Sequence, residues 1–174
     1  ILVPVDFSAK SKMAVEKACD IAKQYDCNIH LLHVVAISPF AAIAMTEGPM
    51  AIPYANIENK DVIEVEFKKL INTVKLLYGN TVKVEYSILQ GTWDEAIIDF
   101  TNQNNYDLVL VGQKESLLKK RRMIINPDKI AAKANIPVIT IPSNKRITKL
   151  YTIVIPITDF LPVRKLMYGV YIAN

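Results

Sequence analysis

The chain has 174 residues, of which 51% are apolar and 22% charged, and it contains only five glycines. This length and apolar content fit a compact domain with a short additional segment, and they exclude disorder and collagen-like repeats. The formal net charge of +4 is mild and does not by itself indicate nucleic-acid binding. Two cysteines, Cys19 and Cys27, are too few for a secreted disulfide framework, so we expect reduced thiols and a cytoplasmic protein.

Membrane insertion and secretion are not indicated by any segment. The longest uncharged stretch, Ile29 to Met45, is interrupted by two histidines and a proline, and it falls short of a membrane span. No N-terminal segment has the order of a signal peptide. The chain begins at Ile1 on a predicted strand and stops at Asn174 inside a predicted helix, which we interpret as part of a longer protein.

Short apolar runs alternate with helical patterns along the first 142 residues. The predicted strands are 1–5, 29–35, 82–89, 108–111 and 138–141. Ser8 and Asn126 are predicted to cap helices, Thr92 with Glu95 forms a predicted capping box, and Gly79 is expected to end the strongest helix. With right-handed crossovers, this order predicts a doubly wound parallel α/β sheet.

Ligands of such sheets bind beyond the carboxyl ends of the strands, which lie here near Asp6, Val35 and Gly112. Residues 38–56 form a long irregular and rather apolar segment. We interpret this segment either as a surface for a protein partner or as a cover over the sheet edge.

An internal repeat links the two ends of the chain. The segment Ile1–Val5 (ILVPV) resembles Ile153–Ile157 (IVIPI), and Asp6-Phe7 is matched by Asp159-Phe160. The spacing of about 152 positions is what one domain and a linker occupy. The repeat predicts a first domain at 1–142, a linker at 143–149 and the beginning of a second copy at 150–174.

An ordered set of segments resembles the universal stress protein family. The segments are Ile1–Ser8, Leu31–Val35, Gly91-Thr92, Tyr106–Gly112 and Ile136–Ile141. The resemblance implies a five-stranded Rossmann-like sheet of order 3-2-1-4-5, of the type found in adenine nucleotide alpha hydrolases. It also implies a homodimer through the last strand, or a pseudo-dimer of tandem domains paired in the same way.

One branch of this family binds ATP, partly through a glycine motif after the fourth strand. The motif reads Gly, two residues, Gly, nine residues, Gly, then Ser or Thr. Here Gly112 begins it, but Glu115 and Ile125 (or Ile124, if the register slips) stand where the other glycines belong. Isoleucine is strained at positive φ, and Glu115 adds negative charge where a polyphosphate would lie, so we expect no ATP in this domain.

What the resemblance leaves is the remnant of a nucleotide site. Its positions are Val5, Asp6, Val34, Val111, Gly112 and Asn126. Asp6 is either part of this remnant or a carboxylate that caps backbone N–H groups at the turn, and we favour the cap. His30 and His33 lie on opposite strand faces and cannot share a metal, and we expect His33 to be hydrogen-bonded near the strand end.

Three functions remain open. The first is a non-catalytic binding and dimerisation module for the stress response, without ATP or another cofactor in this domain. The second is an ATP-binding protein whose site lies in a missing second half or uses the basic segment Lys114–Arg122. The third is an acidic-ligand or nucleic-acid binder through Lys119–Arg122, although nucleic acid is not expected because no aromatic residues interleave with these charges.

Overall fold

The computed structural model describes residues 1–35, 59–112 and 125–142, and helical positions 163, 166, 167, 169 and 170. The chain divides into two compact units, Ile1–Ser143 and Asn144–Asn174. The predicted linker, the irregular segment 38–56 and the basic segment Lys114–Arg122 lie outside the described residues. Of the predicted second copy only the helical positions are described, so that copy stays a prediction.

Within its described residues, the first unit alternates five strands with four helices. The strands are β1 (Leu2–Pro4), β2 (Ile29–Val35), β3 (Val84–Gln90), β4 (Val109–Gly112) and β5 (Val138–Ile141). The helices are α1 (Ala9–Tyr25), α2 (Lys60–Tyr78), α3 (Trp93–Gln103) and α4 (Pro127–Ala134). These confirm the predicted strands to within two residues at each end, the largest difference being that β3 begins at Val84 instead of Val82. No helix in the described ranges is long and apolar enough to cross a membrane.

The strands form one parallel sheet of order β3-β2-β1-β4-β5, which confirms the expected fold class and strand order. Val3 of β1 lies opposite Leu31 of β2, and Leu2 lies opposite Val109 of β4. The chain therefore adds β2 and β3 on one side of β1, and then crosses over to add β4 and β5 on the other side. The carboxyl ends of β1 and β4 meet where this reversal occurs.

Two apolar clusters cover the two faces of the sheet. Side chains alternate between faces along a strand, so Leu2 and Val3 belong to different clusters. Val3 shares its cluster with buried residues of α1 and with Phe67 of α2. Leu2 shares its cluster with Ile97 of α3 and Ile130 of α4. Burying both faces explains why the strands read as continuous apolar runs.

The predicted helix caps are confirmed for α1 and α4. The Ser8 Oγ accepts the backbone N–H three residues on at 3.3 Å, and the Asn126 Oδ1 does the same at 3.1 Å. Thr92 differs from the expected capping box, because its hydroxyl donates to Glu95 Oε2 at 2.7 Å and accepts no backbone N–H. Thr92 and Glu95 are thus paired, but by a hydrogen bond between their side chains and not by the side-chain-to-backbone bonds of a capping box.

Candidate functional site

Five of the six predicted site positions meet at one edge of the sheet. Val5 and Asp6 follow β1, Val34 lies at the end of β2, and Val111 and Gly112 end β4. Because β1 pairs with both β2 and β4, these three carboxyl ends are adjacent. All five residues are buried.

Asp6 is buried and engaged with the start of α1. Its Oδ1 accepts the backbone N–H of Ser8 at 3.1 Å and the Ser8 hydroxyl at 2.5 Å. Ser8 is itself the N-cap of α1. The cap that we favoured for Asp6 is therefore confirmed, and the carboxylate stabilises the turn that joins β1 to α1.

His33 lies at the centre of an aromatic group beside this turn. Its Nδ1 is 2.7 Å from the Val5 carbonyl oxygen, so this nitrogen carries the proton and donates it. The predicted hydrogen bond near the strand end is thus confirmed. The ring stacks on Phe7 at 5.1 Å and meets Trp93 edge-on at 5.5 Å. Phe7 adopts a left-handed backbone conformation with φ of 58°, which sequence patterns do not predict for phenylalanine.

His30 makes a separate set of contacts. Its Nε2 is 2.9 Å from Ser87 Oγ, and its ring meets Phe100 and Tyr106 edge-on. Burial lowers the pKa of His30, which favours the neutral imidazole. Throughout the part of the chain that the structure describes, no group of three or more His, Cys, Asp or Glu residues is arranged to hold a metal ion.

Gly112 is packed against the main chain of α1. A Cβ at this position would lie 2.5 Å from the Lys10 carbonyl oxygen and 3.0 Å from the Ser11 amide nitrogen. Real side chains essentially never approach backbone atoms this closely, so only glycine fits here. Helix packing on β4 is therefore sufficient reason for this glycine, without any phosphate.

The sixth predicted position, Asn126, begins α4 and is held by a residue that sequence reasoning missed. Asp94, in the first turn of α3, accepts the Asn126 backbone N–H through Oδ1 at 2.9 Å. Its Oδ2 lies 3.7 Å from Lys129 Nζ. The two residues Asp94 and Asn126 are 32 positions apart, and no local pattern signals their contact.

A carboxylate thus lies at the N-terminus of α4. Free N–H groups and the helix dipole make such a terminus favourable for anions. Asp94 supplies that negative charge from within the protein, while the Asn126 side chain accepts the Lys129 N–H. Ile125, just before the helix, packs against the apolar cluster on this side of the sheet. The Asp94 carboxylate and the packed Ile125 side chain both lie where the glycine motif of the resembled family would end.

The model of the universal stress protein family matches residues 1–142. The chain belongs to the universal stress protein family. It is 24% identical over 148 residues to a universal stress protein of Methanocaldococcus jannaschii, covering 84% of this chain and 83% of the relative. It is 28% identical over 115 residues to universal stress protein A homolog 1 of Coxiella burnetii, covering 64% and 74%.

Solved universal stress protein structures share the fold. UspA from Lactobacillus plantarum superposes with a TM-score of 0.52 at 19% identity, covering 80% of this chain and 94% of that one. A universal stress protein solved in complex with cAMP superposes with a TM-score of 0.56 at 16% identity, with the same coverages. At these identities the likeness establishes the common fold of the universal stress proteins.

Proposed function

We propose that this universal stress protein domain is a non-catalytic module of the stress response that acts by dimerisation and by binding a protein partner. In this proposal the domain holds no ATP. The observation that carries the nucleotide-free part of the proposal is the position of Asp94, whose carboxylate accepts the Asn126 N–H at the start of α4. The unpaired thiols of Cys19 and Cys27 support a reducing, cytoplasmic location.

Electrostatics explains why this carboxylate opposes a phosphate. A phosphate at the N-terminus of α4 would have to displace Asp94 from the Asn126 N–H or lie next to it. Two like charges 4 Å apart repel by about 4 kcal/mol at an effective dielectric of 20. The Lys129 ammonium, 3.7 Å from Asp94, reduces this repulsion in part, but Asp94 still occupies the Asn126 N–H. The helix terminus therefore gains little from an external anion.

The neighbouring positions support the same proposal. Gly112 is accounted for by its contact with Lys10, and Asp6 is already hydrogen-bonded to Ser8. Ile125 fills space against the core where the family motif needs glycine. Asp6, Gly112 and Asn126 are thus each engaged by groups within the protein.

The outer edge of β5 is the proposed dimer surface. The Val109 N–H donates to the Pro137 carbonyl at 3.0 Å, so alternate residues of β5 bond to β4. Within this pattern the N–H of Thr140 points away from β4. A Thr140→Pro variant keeps the β4 ladder and removes an outward donor, and we expect it to weaken the β5 dimer.

Calorimetric titration of Mg-ATP into the protein tests the proposal that the first domain does not bind ATP. The cAMP-binding relative titrated with cAMP serves as the positive control. We expect no heat of binding for Mg-ATP with this chain. Micromolar one-to-one binding to the first domain would overturn this part of the proposal.

The second candidate function is adenine-nucleotide binding. It is favoured by the neighbouring structure solved in complex with cAMP, which has the same fold. Its site would use the basic segment Lys114–Arg122 or lie in a second copy. If titration detects ATP or cAMP, Asp6→Ala should weaken binding while Asp99→Ala, an exposed carboxylate on α3, should not. Equal affinity in both variants would exclude Asp6 from the nucleotide site.

A further inference from the structure

Strand β3 lies at one edge of the sheet. In the order β3-β2-β1-β4-β5, β2 is the strand that pairs with β3, and no other described strand reaches its outer side. An unpaired edge presents a row of main-chain N–H and C=O groups that can bind a further strand. The β5 edge is assigned to the dimer proposed above, so β3 is the edge that still lacks a role.

The hydrogen bonds between β2 and β3 decide which main-chain groups point outward. The Ile29 N–H donates to the Lys83 carbonyl at 2.9 Å, and the Gly91 N–H donates to the Val35 carbonyl at 3.1 Å. Between these two bonds the ladder alternates, so the odd-numbered residues of β3 bond to β2 and the even-numbered residues face outward. The outward N–H and C=O groups are those of Val84, Tyr86, Ile88 and Gln90.

The β3 edge lacks the features that usually keep an edge strand from pairing. Natural edges are shortened, bulged, interrupted by proline or covered with charges. β3 has seven residues in unbroken register with β2, contains no proline and carries one charged side chain, Glu85. β5, by comparison, has four residues between Pro137 and Pro142. The edge of β3 is therefore well suited to pairing with an added strand.

On the face that packs against α2, β3 offers half-buried apolar side chains. Val84, Tyr86 and Ile88 pack against the core cluster that contains Phe67, and the Tyr86 ring stacks on Phe67 at 4.4 Å. All three keep part of their surface exposed. Matched side chains on neighbouring strands stabilise a sheet, so an added strand is most stable with aliphatic residues beside Tyr86 and Ile88.

The opposite face of β3 carries a negative charge. Glu85 is exposed, and no described residue forms a hydrogen bond or ion pair with its carboxylate, the nearby Lys83 included. The Ser87 hydroxyl on the same face is 2.9 Å from His30 Nε2, so it is bonded within the sheet. A basic side chain on an added strand pairs with Glu85, whereas an acidic one is repelled.

We propose that the outer edge of β3 binds an extended segment of a protein partner, which adds to the sheet as a sixth strand. The segment alternates aliphatic residues, which lie beside Tyr86 and Ile88, with polar residues that include a lysine or arginine beside Glu85. Main-chain hydrogen bonds supply the affinity and the alternate side chains supply the specificity. This surface gives a location to the partner binding proposed above, and it depends neither on the dimer nor on the absence of ATP.

Amide hydrogen exchange of the full chain tests whether the edge is open. Without a partner, we expect exchange at the outward amides of Tyr86 and Ile88 to be at least about tenfold faster than at the inward amides of Ser87 and Leu89. Slow exchange at the outward amides at every protein concentration would show that the chain covers its own edge. Slow exchange that appears only at high concentration would show a second copy there. Either result would overturn the proposal.

Titration with synthetic peptides, followed by amide chemical shifts, tests the chemistry of the added strand. The probe is an end-blocked octapeptide in which valine alternates with threonine and one central threonine is replaced by lysine. We expect shifted resonances at the outward amides, and binding at least about threefold weaker when glutamate replaces the lysine. This difference should shrink in Glu85→Gln. Unchanged β3 resonances at millimolar peptide, or equal affinity of the unaltered protein for both peptides, would contradict the proposal.

Proline variants distinguish the two edges of the sheet. Ile88→Pro removes an outward N–H and keeps the ladder with β2, so peptide binding should be lost. Ile88→Ala is the matched control, because it shortens the side chain but keeps the N–H, and it should retain binding. Thr140→Pro, which alters the β5 edge, should bind the peptide as the unaltered protein does. Loss of binding in Thr140→Pro but not in Ile88→Pro would place the peptide at β5 and refute the assignment to β3.

Discussion

Gly112 lies so close to Lys10 that a methyl group on it would be 2.5 Å from the Lys10 carbonyl oxygen. The end of β4 is thereby packed directly on the first turn of α1. That same turn is capped by Ser8, which in turn bonds to Asp6 at the end of β1. The glycine and the carboxylate that resemble nucleotide-binding residues together fix the position of α1.

Gly112→Ala is therefore expected to destabilise the fold. The added methyl must displace main-chain atoms of α1, and overpacking of this kind costs about 1–3 kcal/mol. Chemical denaturation measures the free energy of unfolding. Lys10→Ala is the control, because it leaves the carbonyl in place and should change stability little. Unchanged stability of Gly112→Ala would contradict the close packing.

Asp94→Ala is expected to loosen the start of α4. The change removes the acceptor for the Asn126 N–H and a negative charge at the helix N-terminus, with a combined cost of about 1–2 kcal/mol. Hydrogen exchange should then be faster at the Asn126 amide. Asp99→Ala, on the exposed side of the same helix, should leave that exchange rate unchanged. Equal exchange at Asn126 in both variants would rule out the contact.

Cys19 is expected to make the free energy of unfolding fall at alkaline pH. Burial raises the pKa of Cys19 from 9.0 to about 12, and the nearby carboxylates of Asp20 and Glu16 add to the rise. Above pH 9 the unfolded chain releases a proton that the folded protein keeps. This contribution to stability is complete below pH 9 and is lost as the pH rises toward 12, at about 1.4 kcal/mol per pH unit.

Comparison with Cys19→Ala isolates this contribution. The variant loses some packing at neutral pH, but it lacks the titrating thiol. The difference in unfolding free energy between the two proteins should therefore shrink above pH 9. A constant difference from pH 7 to pH 11 would show that Cys19 does not titrate in this way.

Local patterns were sufficient for the elements and their caps. The apolar runs at 1–5 and 29–35 are buried on both sides, so their composition alone marks them as parallel strands. Ser8 and Asn126 satisfy N–H groups three residues away, which is a contact within one turn. The resemblance to the universal stress proteins then supplied the strand order. Thr92 shows the limit of these local patterns. Its hydroxyl could bond either to a backbone N–H of its own helix or to the Glu95 carboxylate, and the pattern did not decide between them.

The candidate site required the folded chain. Asp94 and Asn126 belong to different helices, and the N–H that Asp94 accepts is defined only once α3 and α4 lie side by side. The stacking of Phe7 on His33 likewise depends on the pairing of β1 with β2 and on a left-handed backbone at Phe7.

The sequence by itself determined the type of each element and the family, because hydrophobic burial and capping act over a few residues. It also showed that the glycine motif is broken, since the residue types at Glu115 and Ile125 can be read directly. Only the tertiary structure decided what replaces the motif. Hydrogen bonds and close packing join groups far apart in the chain, so the roles of Asp94 and Gly112 follow from the fold.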